Sequence, residues 1–96
     1  MPGAARLSDM DTGHSSWPPR PNCQASTTVY VDQRGVHRKS DNWPPHCDPQ
    51  GHCHPATTSS SSNTVFADNL GVARIGDSVS CGGKIAQGSS TVFVGD

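Results

Sequence analysis

The sequence predicts an all-β fold in which one short unit is repeated three times. A seven-residue phrase, Gly-x-x-Arg-x-x-Asp, occurs at three places, and a motif of Thr-Val followed by Phe or Tyr also occurs three times. An amphipathic helix needs apolar residues at helical spacing over roughly 11 residues or more, and no segment shows that pattern. We therefore expect β structure with long loops and pseudo-threefold symmetry.

The repeated phrase defines three units of unequal length. Its arginines, Arg6, Arg38 and Arg74, lie 32 and 36 residues apart, so the units differ in their loops. Three copies are also too few for a long solenoid. We expect one domain over residues 1–96, with repeat units around 2–32, 33–68 and 69–96.

Each unit has one candidate strand, rich in β-branched and aromatic residues that alternate along the chain. The three segments are Thr27–Asp32, Asn63–Asp68 and Ser90–Asp96. Their valines are equivalent by position, and their aromatic residues point to the opposite face: Val29, Val65 and Val92; Tyr30, Phe66 and Phe93. The third strand lies at one end of the sequence and its phrase at the other, so we expect the two termini to meet.

The composition indicates that burial of apolar surface alone does not stabilise the fold. Only 31% of the residues are hydrophobic and 5% are aromatic. A small domain of this kind needs disulfides, a metal or oligomerisation. The four cysteines, at positions 23, 47, 53 and 81, permit disulfides. Their neighbouring histidines, in a chain expected to fold in a reducing cytoplasm, favour metal ligation and free thiols instead.

Charge and hydropathy exclude several partners. The net charge is −1 and the seven Lys and Arg residues form no cluster, which argues against nucleic-acid binding. No apolar stretch approaches the roughly 20 residues of a membrane span. The N-terminus lacks the layout of a signal peptide, so we expect synthesis in the cytoplasm.

Counting from the repeated aspartate locates three candidate metal ligands. His14 lies five residues after Asp9, His46 five residues after Asp41, and Cys81 four residues after Asp77. Under threefold symmetry these side chains converge on the axis. Zinc accepts mixed His and Cys ligands in a tetrahedral shell, so one position is left to fill.

The segment HCDPQGHCH, residues 46–54, can supply the fourth ligand. The candidates are His54, His52, Cys53 and Cys47. We prefer His54 to His52, and Cys47 is the weakest candidate because it adjoins His46. His37 occupies the position held by Ala5 and Ala73 in the other units, so we expect it to pack or form hydrogen bonds rather than bind metal.

The phrases PGAAR, GVHR and GVAR, each followed by Asp at the same interval, resemble the repeat that names the PAAR proteins. RIGDSVSCGG, GSSTVFVGD and DNWPPHC are similar to further phrases of that family. The resemblance extends over almost the whole chain. It implies a small conical β-fold with a zinc-stabilised vertex, and residue-by-residue matching implies His14, His46, His54 and Cys81 as the zinc ligands.

The same resemblance implies a mechanical function. PAAR proteins sit on the tip of a trimeric spike, VgrG-like in type VI secretion systems or the central spike of contractile phage tails. There the protein would sharpen the spike, meet the target membrane transiently on contraction, and be delivered into the target cell or its periplasm. The alternative is a zinc-stabilised adaptor that links effector proteins to the spike.

Catalysis is not expected. A zinc hydrolase needs an open coordination position and a general base. The chain contains no Glu, four ligands would close the shell, and nothing in the spacing singles out Asp11 or Asp48 as a base. A secreted disulfide domain would instead predict oxidised thiols and no metal.

Overall fold

Six short strands form three separate antiparallel hairpins in the computed structural model, which describes residues 1–96. The strands are β1 (Tyr30–Val31), β2 (Arg34–Gly35), β3 (Asn42–Cys47), β4 (Cys53–Thr57), β5 (Phe66–Ala67) and β6 (Leu70–Gly71). They pair β1 with β2, β3 with β4, and β5 with β6. The molecule measures 39 × 24 × 21 Å. It has no helix that could span a membrane, and the all-β fold is confirmed.

A closed ring of three backbone hydrogen bonds joins the repeated phrases. The amide of Ala5 donates to the carbonyl of Ala73, that of Ala73 to His37, and that of His37 back to Ala5, each at 2.9 Å. A second ring, offset by two residues, runs from Leu7 to Gly35, from Lys39 to Gly71, and from Ile75 to Gly3. Three segments that each donate to one neighbour and accept from the other form a pseudo-threefold arrangement.

The Arg and Asp of each phrase form a local ion pair. Arg6, Arg38 and Arg74 each bind the aspartate three residues later through Nε and Nη2, with distances of 2.9–3.1 Å. The same aspartate accepts the backbone amide of its arginine. Hydrogen bonds that the guanidinium groups donate to these carboxylates raise the pKa of the three arginines. The pairing neutralises carboxylates that are almost completely buried.

The glycine of the phrase permits a close approach between neighbouring segments. A Cβ atom at Gly3 would collide with the carbonyl oxygen of Ser89, and one at Gly35 with that of Ser26. At Gly71 the collision would be with Ser61 and Ser62. No other residue type fits these positions without a backbone shift, which explains the first residue of the repeat.

The observed strands are shorter than predicted because a serine side chain in each unit accepts hydrogen bonds from two backbone amides of the predicted strand. The hydroxyl oxygen of Ser26 accepts the amides of Thr28 and Val29, and Ser62 and Ser89 do the same in the other units. Those amides are then unavailable for a ladder. Pairing is left to Tyr30–Val31 and Phe66–Ala67, and to a single bridge at Phe93. The predicted extents of the strands were therefore wrong.

The two termini complete the third unit. Phe93 forms a bridge with Gly3, and the amide of Val94 donates to the carbonyl of Pro2. In the other two units, Tyr30 pairs with Gly35 and Phe66 with Gly71 inside continuous hairpins. The expectation that the ends meet is confirmed.

Two small cores lie along the molecule. A base core lies directly behind the aromatic strand residues and consists of Ala4, Val36, Ala67, Val72 and Val94. A metal-side core, against which Cys81 packs, consists of Ala5, Trp43, Ala56, Ala73, Val79 and Ile85. Ala5 and Ala73 of the hydrogen-bonded ring belong to the metal-side core, so the ring lies between the base core and Cys81.

The middle segment forms the longest hairpin of the protein, β3–β4, in a region where no strand was expected from the sequence. Two prolines, Pro44 and Pro45, interrupt β3, and the register shifts between Trp43 and His46. A proline cannot donate to a ladder and is tolerated in a strand at an edge or bulge. This hairpin is a two-stranded sheet whose strands are both edges, which is why the prolines did not prevent a strand.

His37 is a buried hydrogen-bonding residue, as expected, and not part of a metal cluster. Its Nδ1 lies 2.7 Å from the carbonyl of Gln24, and its Nε2 lies 2.7 Å from Oγ1 of Thr58. Thr58 Oγ1 also accepts the indole N–H of Trp43. The neutral ring satisfies this chain by donating to Gln24 and accepting from Thr58.

Stability is expected to fall on acidification partly through His37. Burial lowers its pKa below the ordinary value of 6.5, against the opposing effects of the Gln24 carbonyl and Asp41. Below about pH 6.5 the unfolded chain therefore binds a proton that the folded chain does not, and folding stability decreases. Melting temperatures of the wild type and His37→Ala, measured from pH 7 to pH 5, check this. The variant should be less stable at pH 7 but show a shallower decline, and parallel curves would contradict the assignment.

Candidate metal centre

Four side chains from four parts of the sequence meet next to the metal-side core, against which one of them packs. They are His14, His46, His54 and Cys81, and their ligand atoms all lie within 4.8 Å of one another. His46 is buried and the other three are partly exposed. The structure thus brings together the three residues counted from the repeated aspartate and one member of the HCDPQGHCH segment.

The register of the β3–β4 hairpin selects His54. His46 and His54 are directly opposite each other across the two strands, and Cys47 and Cys53 form the next pair. Opposite residues share a face and successive residues alternate. The two histidines therefore point toward the cluster, and the two cysteines point away from it, where they form a disulfide.

A tight turn and an aromatic stack position His14. The backbones of His14 and Trp17 exchange two hydrogen bonds around a turn in which Ser15 has a positive φ of 48°. The Trp17 ring stacks on His14 with centroids 5.1 Å apart and lies 4.9 Å from the His54 ring. Its indole N–H donates to the carbonyl of His52. Trp17 thus joins the segment of His14 to the hairpin.

The hydrogen bonds of the imidazoles leave lone pairs that face each other. Nδ1 of His46 donates to the carbonyl of Pro18 at 2.8 Å, so Nε2 of its neutral form carries a lone pair. That Nε2 lies 2.7 Å from Nε2 of His54, which lies 3.0 Å from Nε2 of His14. One nitrogen of His54 cannot donate a proton to both neighbours. A cation at their centre would satisfy all three.

The environment keeps the His54 imidazole neutral. Loss of solvent contact lowers the pKa of His54, and the neighbouring rings of His46 and His14 and the Arg20 cation lower it further. The neutral imidazole is the form that binds a metal ion.

Cys81 is held from two sides. Its side chain packs against the metal-side core, and its Sγ accepts a hydrogen bond of 3.1 Å from Nη2 of Arg20. The turn that carries it is closed by hydrogen bonds between Val79 and Gly83 and between Gly82 and Val79. A thiol in this position can present its sulfur to the three imidazoles.

Three imidazole nitrogens and one sulfur are a donor set that fits a tetrahedral ion such as Zn²⁺. Bonds of about 2.05 Å to nitrogen would set neighbouring ligand atoms roughly 3.4 Å apart, slightly more than the separations between the imidazoles here. These residues could hold a metal ion with only a small adjustment.

A family model described as PAAR motif matches residues 12–87 and 54–96 of the chain. The chain belongs to the PAAR-motif family. No curated protein matches it. PAAR proteins are structural spike-tip proteins, so membership associates the chain with the spikes of type VI secretion systems or phage tails, and catalysis is not a known property of the family.

The other candidates for the fourth ligand, His52, Cys53 and Cys47, lie outside the cluster. The His52 side chain is 75% exposed, and its Nδ1 lies 3.0 Å from a carboxylate oxygen of Asp48.

The expectation that all four thiols are free is wrong, since Cys47 and Cys53 are bonded and only Cys23 and Cys81 are free. Strand alternation explains the error, because it places the two cysteines opposite each other and away from the histidines.

Sequence reasoning missed two groups of residues that support the site and the repeats. The first is Arg20, whose single copy gave no signal in a search for repeats. The second is the buried serine set, Ser26, Ser62 and Ser89, which was detectable because Ser-x-Thr-Val recurs in all three units.

Removal of the disulfide should lower stability while the metal is retained. Closing such a short loop contributes about 2 kcal/mol to the free energy of unfolding in the chain-entropy model. Cys47→Ser/Cys53→Ser should therefore melt earlier than the wild type, yet bind the same amount of metal, because its ligands lie on the other face of the hairpin. Differential scanning fluorimetry and elemental analysis measure the two quantities. Loss of metal in this variant would contradict the facing of the side chains.

Substitution of the two free cysteines should have opposite outcomes. Cys81→Ser should lose bound metal and much of its thermal stability, because metal binding to small domains contributes on the order of 10 kcal/mol. The matched change Cys23→Ser should do neither, since Cys23 is exposed and remote from the cluster. We expect one zinc per wild-type chain by elemental analysis. Equal damage from the two substitutions would count against the assignment.

Proposed function

We propose that this PAAR protein caps a trimeric spike, with its apolar base on the spike and its metal centre at the opposite, leading end. The observation that carries the proposal is the threefold pattern of exposed apolar side chains at the base. It is supported by membership of a family of spike-tip proteins.

The exposed apolar residues occur in symmetric sets. Tyr30, Phe66 and Phe93 are 59%, 58% and 52% exposed, and the preceding valines at positions 29, 65 and 92 are 39%, 41% and 39% exposed. A monomer has no reason to expose the same apolar pair three times, and contiguous apolar surface of this kind marks an interaction site. The aromatic residues and the valines are therefore both available for contact.

Hydrogen bonds between neighbouring units hold the base in one shape. Thr28 donates to a carboxylate oxygen of Asp68, Thr91 donates to one of Asp32, and Thr64 pairs with the backbone carbonyl of Asp96. Arg6 and Arg38 donate to the same two aspartates. Hydrogen bonds from Ser26 and Thr28 lower the pKa of Asp68, which keeps it ionised for these contacts. A pre-organised base loses little entropy on docking.

Matched symmetry makes a trimeric partner the best fit. Each of three identical spike subunits can meet one Tyr/Phe–Val pair in an equivalent way, so one chain occupies the end of the trimer. A dimeric partner would leave one apolar pair in water, and a monomeric partner would leave two. We therefore propose a VgrG-like or phage central spike as the partner, and a location at the spike tip.

The metal centre is proposed as the structural vertex. His14, His46, His54 and Cys81 are the proposed ligands, and Zn²⁺ is the proposed ion because it takes mixed His and Cys donors in a closed tetrahedral shell. Cys81 packs against the metal-side core, whereas the exposed Phe66 and Phe93 adjoin Ala67 and Val94 of the base core. A closed site joins four chain segments at one point, which supplies rigidity for piercing a target membrane rather than affinity for lipid.

The contacts of the two candidate bases agree with a non-catalytic role. One carboxylate oxygen of Asp11 accepts two backbone amides, and the residue is almost completely buried. The Asp48 carboxylate is bonded to the backbone of Gln50 and to the backbone and ring of His52. Neither carboxylate is available beside the cluster to activate a water molecule.

Charged substitutions at the base should weaken spike binding. Tyr30→Asp, Phe66→Asp and Phe93→Asp each remove an exposed aromatic anchor and place a charge in the contact. We expect each to weaken binding to a purified trimeric spike protein at least about tenfold, equivalent to roughly 1.4 kcal/mol, with larger losses in combination. Biolayer interferometry with immobilised spike measures the dissociation constant.

The control is Gln50→Asp, which adds the same charge in the turn of the β3–β4 hairpin. It should bind as the wild type does. Unchanged affinity in the three base variants would contradict docking through this face. Failure of the wild type to bind any trimeric spike would contradict the capping function itself.

A further inference from the structure

We propose that Arg20 is the positioning residue of the metal centre, a buried cation that orients the thiol of Cys81 and joins the segments that carry the other ligands. The inference rests on the proposed metal-binding role of the four-residue cluster. It concerns a residue outside that cluster, one that belongs to no repeat.

The guanidinium of Arg20 reaches both strands of the ligand hairpin and the thiol. Nη1 donates to the carbonyl of Pro44 in β3 at 2.7 Å and to that of His54 in β4 at 2.9 Å. Nη2 donates to Sγ of Cys81 at 3.1 Å. One planar group therefore sets the position of the strand of His46, the strand of His54, and the sulfur relative to one another.

Asp11 links the same guanidinium to the segment of His14. Oδ1 of Asp11 accepts the backbone amides of Gly13 and Arg20, each at 3.0 Å. Its Oδ2 lies 3.4 Å from Nε of Arg20, and neither of these two buried atoms has another partner. The amide of Gly13 adjoins His14, so the Arg20–Asp11 pair connects all four ligand segments.

The site is built for a cation of this shape. The side chain of Arg20 is only 4% exposed, and its guanidinium carbon lies 5.9 Å from the centre of the Trp43 ring. A buried guanidinium must be paired and hydrogen-bonded, and here it forms an ion pair with a carboxylate and donates to two carbonyls and a sulfur. Lysine carries its three N–H donors on one nitrogen and lacks the planar fork of the guanidinium, so it cannot span the same widely separated acceptors.

The contact to sulfur has a chemical consequence beyond cross-linking. An N–H group that donates to a metal-bound thiolate withdraws electron density from the sulfur and directs its remaining lone pairs toward the metal. Residues that hold metal ligands in this way typically change metal affinity 10–100-fold, about as much as many direct contacts. Removal of Arg20 should therefore alter the electronic properties of the metal–sulfur bond as well as the stability of the fold.

The experiment uses the full chain with Co²⁺ as a spectroscopic probe and Zn²⁺ for affinity. Arg20→Met removes the charge and every N–H group, and Arg20→Lys keeps the charge and one donor group. We expect Arg20→Met to bind Zn²⁺ about 10–100-fold more weakly in a chelator competition. Its thiolate-to-Co²⁺ charge-transfer band should shift to longer wavelength, because the sulfur has lost its hydrogen bond. Arg20→Lys should lie between the two proteins in both measurements.

Two controls separate positioning from general destabilisation. Lys84→Met removes a positive charge at an exposed site, and Val94→Ala weakens the base core without touching the cluster. Both should keep the wild-type cobalt band and Zn²⁺ affinity. Should Arg20→Met not fold, a shifted band and weakened affinity in Arg20→Lys support the inference, and wild-type values in Arg20→Lys overturn it.

A wild-type band and affinity in a folded Arg20→Met overturn the proposal, as does an affinity loss no greater than that of Val94→Ala with no change in the band. A wild-type protein that binds neither ion overturns the metal site itself, and this inference with it. The two failures are therefore distinguishable.

Discussion

The ring of hydrogen bonds among Ala5, His37 and Ala73 is the constraint on which the remaining structure depends. Each segment must donate to one neighbour and accept from the other at the same height along the axis, so the three backbones adopt the same path. The same path brings the same close contacts, which require glycine two residues before the ring. It also turns each chain at the same place, where the Arg–Asp pair balances the charge of a buried carboxylate.

The threefold scaffold also explains how four ligands can meet at one point. A tetrahedron has a threefold axis through one of its corners, so three ligands from equivalent positions and one ligand near the axis complete it. Two of the equivalent positions hold histidine and the third holds cysteine. The fourth, His54, comes from the long hairpin that only the middle part of the chain contains, and its Nε2 lies within 3.0 Å of both other imidazoles. Departure from symmetry at that hairpin is therefore what closes the site.

Polar interactions have unusual weight in this protein because its two apolar cores are small. Ion pairs neutralise the buried aspartates of the repeat, serine hydroxyls accept hydrogen bonds from strand amides, and a disulfide links the two strands of the β3–β4 hairpin. Most of these interactions are directional and have fixed partners, unlike apolar contacts that can be repacked. Directional interactions with fixed partners therefore favour a rigid structure, as the proposed function requires.

The sequence by itself determined the repeat, the meeting of the termini, the all-β class and the convergence of His14, His46 and Cys81, since all of these follow from similar residues at nearly matched positions in the three units. The division into units at 2–32, 33–68 and 69–96 stays a prediction, as does the identity of the ion. Only the tertiary structure decided between His54 and His52, because cross-strand register is a property of pairing and not of spacing. The same register brought Cys47 and Cys53 together. The role of Arg20 and Asp11 could not be predicted from the sequence for a related reason. Neither residue belongs to the repeat, and their importance comes from the four distant segments that folding places around them.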